Sequence, residues 1–162
     1  MRNVLAIALL FLAGHLQAQT KPKVGDLAPG FQQVAADGSM LELSGIKSDL
    51  ILLDFWAGWC KPCLHTIETI LNPMYSKYSR EQLQIVGVSY DKSADKWEKS
   101  MEKFNVPWLH VYDADDYDLY KKYAIEVLPT YYLIDSKGKI VAANVLSADL
   151  ANTVDDYFAK KK

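Results

Sequence analysis

Two cysteines separated by two residues form the part of this sequence best suited to chemistry. Cys60 and Cys63 are the only cysteines among 162 residues, and they follow the apolar run Leu50–Trp56. Pro62 suits the first turn of a helix, where its missing N–H is not needed. The pattern predicts a buried strand followed by a helix with Cys60 at its N-terminus. The free N–H groups and the dipole there favour a thiolate, the reactive form of cysteine.

A dithiol at a helix N-terminus predicts thiol–disulfide exchange. The Cys60 thiolate would attack a substrate disulfide, and Cys63 would then attack the mixed disulfide and release the reduced substrate. We expect Cys60 to be exposed and to have a low pKa, and Cys63, one turn further along, to be more buried. The neighbouring Lys61 adds a positive charge that contributes less than about 1 kcal/mol if it is exposed.

Three other uses of the cysteine pair fit less well. A zinc site needs about four ligands. Beyond the two cysteines, only His65 and His110 are available after residue 18, where we expect the chain to be cleaved. Covalent haem attachment needs C-x-x-C-H, but Leu64 occupies the histidine position. A purely structural bridge across so short a ring constrains the unfolded chain very little. The sequence therefore predicts neither a metal ion nor a cofactor.

Hydrophobic periodicity predicts alternating strands and helices around the cysteine motif. The predicted strands lie within Phe31–Leu43 (two, joined at Asp37-Gly38) and at Leu50–Trp56, Leu83–Tyr90, Trp108–Tyr112, Thr130–Ile134 and Lys139–Asn144. The predicted helices are Pro62–Tyr78, Ser93–Phe104, Asp116–Tyr123 and Ser147–Ala159. This order predicts an α/β fold with a mostly parallel central sheet, helices on both faces, an antiparallel C-terminal hairpin and an extra N-terminal β-hairpin. Pro73 predicts a kink or a stop within its helix.

The N-terminus has the three parts of a secretory signal peptide. A positive start, Met1–Asn3, precedes the apolar run Val4–Ala13, and Ala18 offers a small residue for cleavage. A ten-residue helix reaches only about 15 Å, half of a bilayer core, so we expect no permanent membrane span. The alternative interpretation of this apolar run is a helix at the N-terminus that packs into the core of the folded protein. We predict a signal peptide over residues 1–18, a flexible segment over residues 19–23 and a periplasmic or other extracytoplasmic location, where disulfides persist.

Composition limits the class of protein. Half of the residues are hydrophobic, which is enough for a packed core and excludes a disordered chain. The formal net charge of −2 predicts no nucleic-acid partner.

The segment Asp54–Cys63, DFWAGWCKPC, closely resembles the active-site segment of thioredoxin. Further motifs narrow the resemblance to the secreted TlpA/ResA-like thiol–disulfide oxidoreductases. These motifs are Val24–Phe31, Ile85–Asp91, Pro107-Trp108, Val127–Thr130 and Ile134–Ile140. The resemblance covers roughly residues 24–158 and implies a thioredoxin-like domain over residues 24–162.

The resemblance implies catalytic roles beyond the cysteines. The proline that matches Pro129 has a cis peptide bond, and its neighbouring backbone pairs with substrate. The acid that matches Asp54 moves protons to and from the second cysteine, here Cys63. The alternative for Asp54 is a strand-end acid that hydrogen-bonds to nearby backbone. Thioredoxin pairs this acid with a lysine where this chain has Gly87, so we expect Asp54 to have a raised pKa or to be unusually wet.

The resemblance also implies substrates and partners. It places Trp59, Lys61, Pro62 and Leu128 in contact with disulfide-containing protein substrates. It implies a reductant that receives electrons from a membrane thiol donor. Two alternatives stay open. One is a thiol peroxidase, although the chain lacks the P-x-x-x-T-x-x-C pattern of peroxiredoxins. The other is a non-catalytic binding module with a thioredoxin fold.

Overall fold

The computed structural model describes residues 20–113 and 117–161. The strands are β1 (Gln32–Val34), β2 (Met40–Glu42), β3 (Leu50–Trp56), β4 (Leu83–Ser89), β5 (Leu109–Tyr112), β6 (Thr130–Asp135) and β7 (Ile140–Ala143). The helices are α1 (Lys61–Thr66), α2 (Asn72–Lys77), α3 (Ala94–Lys103), α4 (Asp118–Lys122) and α5 (Ser147–Ala159). The predicted signal peptide lies outside the described residues. None of the helices within them is long and apolar enough to cross a membrane.

A five-stranded sheet in the order β5-β4-β3-β6-β7 forms the centre of the protein. Strands β3, β4 and β5 run parallel, whereas β6 is antiparallel to β3 and β7 is antiparallel to β6. Strands β1 and β2 form a separate antiparallel hairpin. The predicted α/β architecture, including both hairpins, is confirmed.

Strand β3 is buried over its whole length and separates two hydrophobic clusters. Leu50, Leu52 and Trp56 face the cluster that contains both cysteines and the buried side chains of α2, α3 and α5. The alternate residues Ile51, Leu53 and Phe55 face the cluster that contains Leu119, Tyr120 and Tyr123. Because side chains alternate along a strand, Asp54 points to the same face as the cysteines.

The helix that carries the cysteines changes its hydrogen bonding before Pro73. Helix α1 continues into a π-helical turn, Ile67–Leu71, and α2 begins at Asn72. Pro73 has no N–H to donate and would clash with the carbonyl of Thr69 in a regular α-helix. The wider π turn accommodates this proline without ending the helix. The kink or stop predicted at Pro73 is therefore a local change from α-helical to π-helical hydrogen bonding.

Candidate active site

Cys60 lies at the N-cap of α1 and is joined by a disulfide bond to Cys63. The Cys63 backbone N–H donates to the Cys60 sulfur, with an N···S distance of 3.2 Å. When the bridge is reduced, this N–H and the helix dipole stabilise negative charge on Cys60. Cys60 is 5% exposed and Cys63 1%. The prediction of an exposed Cys60 is therefore wrong in degree, because its sulfur turns inward towards Cys63.

A cavity of about 490 Å³ opens beside Cys60. Its wall consists of residues 59–62, residues 125–128 and the two tyrosines Tyr90 and Tyr120. The four predicted substrate-contacting residues, Trp59, Lys61, Pro62 and Leu128, are all part of this wall. Cys63 and Asp54 do not line the cavity, so only the first cysteine of the pair faces it.

The wall opposite the cysteines ends in a cis peptide bond between Leu128 and Pro129, as the resemblance implies. Thr130 begins β6 directly afterwards, and its hydroxyl donates to the Val127 carbonyl at 2.7 Å. Val127 is 68% exposed and Trp59, across the cavity, is 61% exposed. The cavity therefore has two exposed apolar side chains, one on each side of Cys60.

Asp54 lies in the core on the cysteine-bearing face of the sheet. It is 1% exposed, and neither carboxyl oxygen has a hydrogen-bond partner among the described residues. Burial without a compensating partner raises the pKa of Asp54 to about 8. The expected raised pKa is thus found, while the wetter environment and the hydrogen bond to local backbone are not. Strand register places Gly87 beside Asp54, as the resemblance implies.

A family model described as thioredoxin-like matches residues 48–140, more than half of the chain. The chain belongs to the thioredoxin-like family.

Relatives of this thioredoxin-like protein share one described activity. Thiol-disulfide oxidoreductase ResA of Bacillus subtilis (strain 168) is 32% identical over 133 residues, which cover 82% of this chain and 73% of the relative. ResA of Bacillus cereus (strain ATCC 10987 / NRS 248) is 26% identical over 155 residues, 96% of this chain and 88% of the relative. The crystal structure of the thioredoxin domain of a Bacteroides vulgatus thiol-disulfide oxidoreductase has a TM-score of 0.75 at 29% identity and covers 83% of this chain and 96% of that one. This thioredoxin-like protein is thus a thiol–disulfide oxidoreductase, and its resemblance to ResA is confirmed.

The zinc alternative finds no support in the geometry of this thioredoxin-like site. Cys60 and Cys63 are bonded to each other, and His65 is exposed on α1. His110 is buried in an aromatic cluster on β5, with Trp56, Trp97 and Trp108 around it. No cluster of three or more potential ligands occurs within residues 20–113 and 117–161.

Asp91, which follows β4, holds the segment before Cys60 and was not singled out by the sequence analysis. It is 2% exposed, and its carboxylate accepts hydrogen bonds from the Gly58 N–H and the Ser89 hydroxyl, both at 2.9 Å. Gly58 approaches α3 closely, since a Cβ there would lie 2.1 Å from the Ser100 hydroxyl oxygen. Asp91 and Ser100 thereby position the backbone two residues before the nucleophile.

We expect Asp91→Ala to lower the free energy of unfolding by about 1–3 kcal/mol, because the variant leaves the half-buried Gly58 N–H and the buried Ser89 hydroxyl without their acceptor. It should also slow disulfide reduction, since Cys60 loses a fixed backbone. Asp91→Asn keeps one acceptor oxygen and is the matched control, with a smaller loss expected in both quantities. Urea unfolding and an insulin-reduction assay measure the two effects. Equal values for Asp91→Ala and the unmodified protein would show that this carboxylate does not position the segment.

Proposed function

We propose that this protein reduces disulfide bonds in other proteins outside the cytoplasm, with Cys60 as the nucleophile and Cys63 as the resolving cysteine. The observation that carries the proposal is the asymmetry of the pair. Both cysteines are buried, but Cys60 lines the open cavity at the helix N-terminus and Cys63 does not. An incoming disulfide therefore meets Cys60 first.

In the first step, the Cys60 thiolate attacks one sulfur of the substrate disulfide. A bond forms between that sulfur and Cys60, and the other substrate sulfur leaves as a thiolate. The Cys63 N–H supports the attacking form because it donates to the Cys60 sulfur. In the second step, Cys63 attacks Cys60, the substrate leaves as a dithiol and the Cys60–Cys63 bridge is restored.

Cys63 must lose its proton before the second step, and we assign Asp54 to accept it. Asp54 points to the face of the sheet covered by the helix that carries Cys63. Its raised pKa, about 8, suits a group that gains and loses a proton near neutral pH. When the bridge is reduced again, Asp54 returns the proton to Cys63.

The cavity wall supports an extended polypeptide as the substrate. Trp59 and Val127 present apolar side chains on the two sides of Cys60, and Leu128 lies beside Val127. We assign the backbone next to Pro129 to pair with the substrate chain and Trp59, Lys61, Pro62 and Leu128 to contact it. Backbone pairing accepts many sequences, which suits an enzyme that acts on several proteins.

The assignment to an extracytoplasmic location rests on the N-terminal sequence pattern. We propose that residues 1–18 are a signal peptide, that residues 19–23 are flexible and that residues 24–162 form the mature domain. Each turnover leaves the Cys60–Cys63 pair oxidised, so a reductant role also requires an external dithiol. A membrane thiol protein is the donor we propose.

A turnover assay tests this function. Purified protein should accelerate the reduction of insulin disulfides by dithiothreitol, and it should not consume hydrogen peroxide when reduced. The processed form, which begins near residue 19, should occur in the extracytoplasmic fraction of the producing cells. No acceleration of insulin reduction would refute the proposed activity, and an unprocessed cytoplasmic chain would refute the proposed location.

A further inference from the structure

We propose that His110 sets the charge state of Asp54 by accepting, across the side-chain-free Gly87, the proton that the carboxyl group releases. This inference rests on the proposed function, because it explains how Asp54 becomes a base for Cys63. It assigns His110 as a positioning residue that acts through Asp54 and does not touch the substrate.

The register of the sheet brings the two groups onto one row. Asp54 of β3 is level with Gly87 of β4, and Gly87 is level with His110 of β5. Side chains level with each other on adjacent strands of a sheet point to the same face. Asp54 and His110 therefore share the cysteine-bearing face, and the strand between them carries Gly87, which has no side chain, at that level.

The imidazole of His110 leans over Gly87 and shortens the gap to Asp54. A Cβ built on Gly87 would lie 2.3 Å from His110 Nδ1 and 2.4 Å from His110 Cε1. Nδ1 thus occupies the space of the missing Gly87 side chain. Asp54 and His110 stand two strands apart, and the imidazole narrows that separation from the β5 side.

Three buried polar side chains in this part of the core have atoms without a hydrogen-bond partner among the described residues. They are both carboxyl oxygens of Asp54, both ring nitrogens of His110 and Nε1 of Trp56. Trp56 Nε1 would lie 3.0 Å from the same Gly87 Cβ. Buried polar groups nearly always pair, so unpaired groups in one part of the core are the ones that a change of charge there would draw together.

His110 is also the only buried side chain in residues 20–113 and 117–161 that can become a cation. It is 2% exposed, and none of the buried polar residues described is a lysine or an arginine. Burial lowers the pKa of His110 to about 3 and raises that of Asp54 to about 8, so each group alone stays neutral at pH 7. Taken separately, these pKa values leave the proton on Asp54. Its transfer to the imidazole depends on the mutual stabilisation of the resulting carboxylate and imidazolium, which is what the proposal requires.

The other groups near this pair do not compete for the proton. Tyr131 of β6 is paired in register with Asp54, and the charge of Asp54 adds to the effect of burial on the pKa of both Tyr131 and Tyr120 of α4. Burial raises the pKa of both tyrosines, so both stay protonated at neutral pH. The charge of Asp91 adds to the effect of burial in raising the pKa of Tyr120, and its carboxylate is hydrogen-bonded to Gly58 and Ser89. Helix α1 contributes Cys63, whose proton Asp54 accepts. From α3 the indole of Trp97 packs edge-on to the His110 ring.

The proton balance of the second step follows. The Asp54 proton moves to His110, leaving a carboxylate and an imidazolium. The carboxylate then takes the thiol proton of Cys63 as Cys63 bonds to Cys60 and the substrate sulfur leaves as a thiolate. The imidazolium then releases its proton, and the leaving thiolate takes up one proton, so Asp54 and His110 both end neutral and the net charge does not change.

Carbon-13 labelling of aspartate and NMR titration of the Asp54 carboxyl test the inference, with Asp54→Asn to assign the signal. We expect His110→Phe to increase the proton affinity of Asp54 by at least about tenfold, or one pH unit. The matched control is Trp97→Phe, which alters packing against the His110 ring without removing a titratable group. It should leave the Asp54 titration unchanged. An unchanged titration in His110→Phe would overturn the inference.

A second measurement needs no change at His110, in case His110→Phe fails to fold. The ring signals of His110 should titrate at a lower pH in Asp54→Asn than in the unmodified protein, because the imidazolium loses its carboxylate partner. Equal titration of His110 in the two proteins would overturn the inference. Neither titration requires turnover, so failure of the insulin assay refutes the proposed function without deciding the role of His110.

Discussion

Cys63→Ser protein, once reduced, should accumulate a stable mixed disulfide between Cys60 and a protein substrate and should lose catalytic turnover. Cys60 can still attack in this variant, but no second thiol is present to release the product. The expected rate of insulin reduction is that of dithiothreitol alone. Non-reducing electrophoresis and mass spectrometry of the adduct provide the measurement.

Cys60→Ser is the matched control for this trapping experiment. Its remaining thiol, Cys63, is 1% exposed and does not line the cavity, so neither an adduct nor turnover is expected. An adduct that forms through Cys63 as readily as through Cys60 would contradict the assignment of the nucleophile.

Asp54→Asn should stabilise the protein at alkaline pH and have little effect near pH 4. The pKa of Asp54 is raised from 3.8 to about 8, so between these values the folded protein holds a proton that the unfolded chain has released. Stability therefore falls as pH rises through this window and levels off above it. For the burial of this carboxyl group the loss is on the order of 5 kcal/mol.

Urea unfolding of both proteins from pH 4 to pH 9 measures this effect. The difference in the free energy of unfolding should grow with pH in favour of Asp54→Asn and then become constant. Asp156→Asn, at an exposed position on α5, is the control for replacing a carboxyl group. A difference between Asp54→Asn and the unmodified protein that does not vary with pH would show that Asp54 has an ordinary pKa in the folded state.

Local sequence patterns were sufficient to predict the elements that carry the cysteines. The apolar run Leu50–Trp56 coincides with β3, and Pro62 lies in the first turn of α1 as its chemistry predicts. Both depend on neighbours within a few residues along the chain. The burial of Cys60 depends instead on the direction in which its sulfur turns, which spacing alone does not define.

The roles of Asp91 and His110 could not be predicted from the sequence, because they depend on contacts between segments that are far apart along the chain. Asp91 reaches Gly58 across 33 positions, and His110 meets Gly87 only because β4 and β5 pair at that level. From the sequence, His110 was considered only as a zinc ligand and Gly87 only as the position of a missing lysine. Once the register is known, the pattern is readable: Gly87 has no side chain, and the imidazole of His110 on the next strand fills the space beside it.

The reduction potential of the Cys60–Cys63 couple tests the central claim most directly. Equilibration with dithiol buffers of known potential, followed by thiol counting by mass spectrometry, measures it. We predict a reversible two-electron couple near thioredoxin's value of about −270 mV. A bridge that stays closed below about −300 mV would be a structural disulfide, and a couple near about −120 mV would belong to an oxidant. Either result would contradict a protein that reduces the disulfides of others.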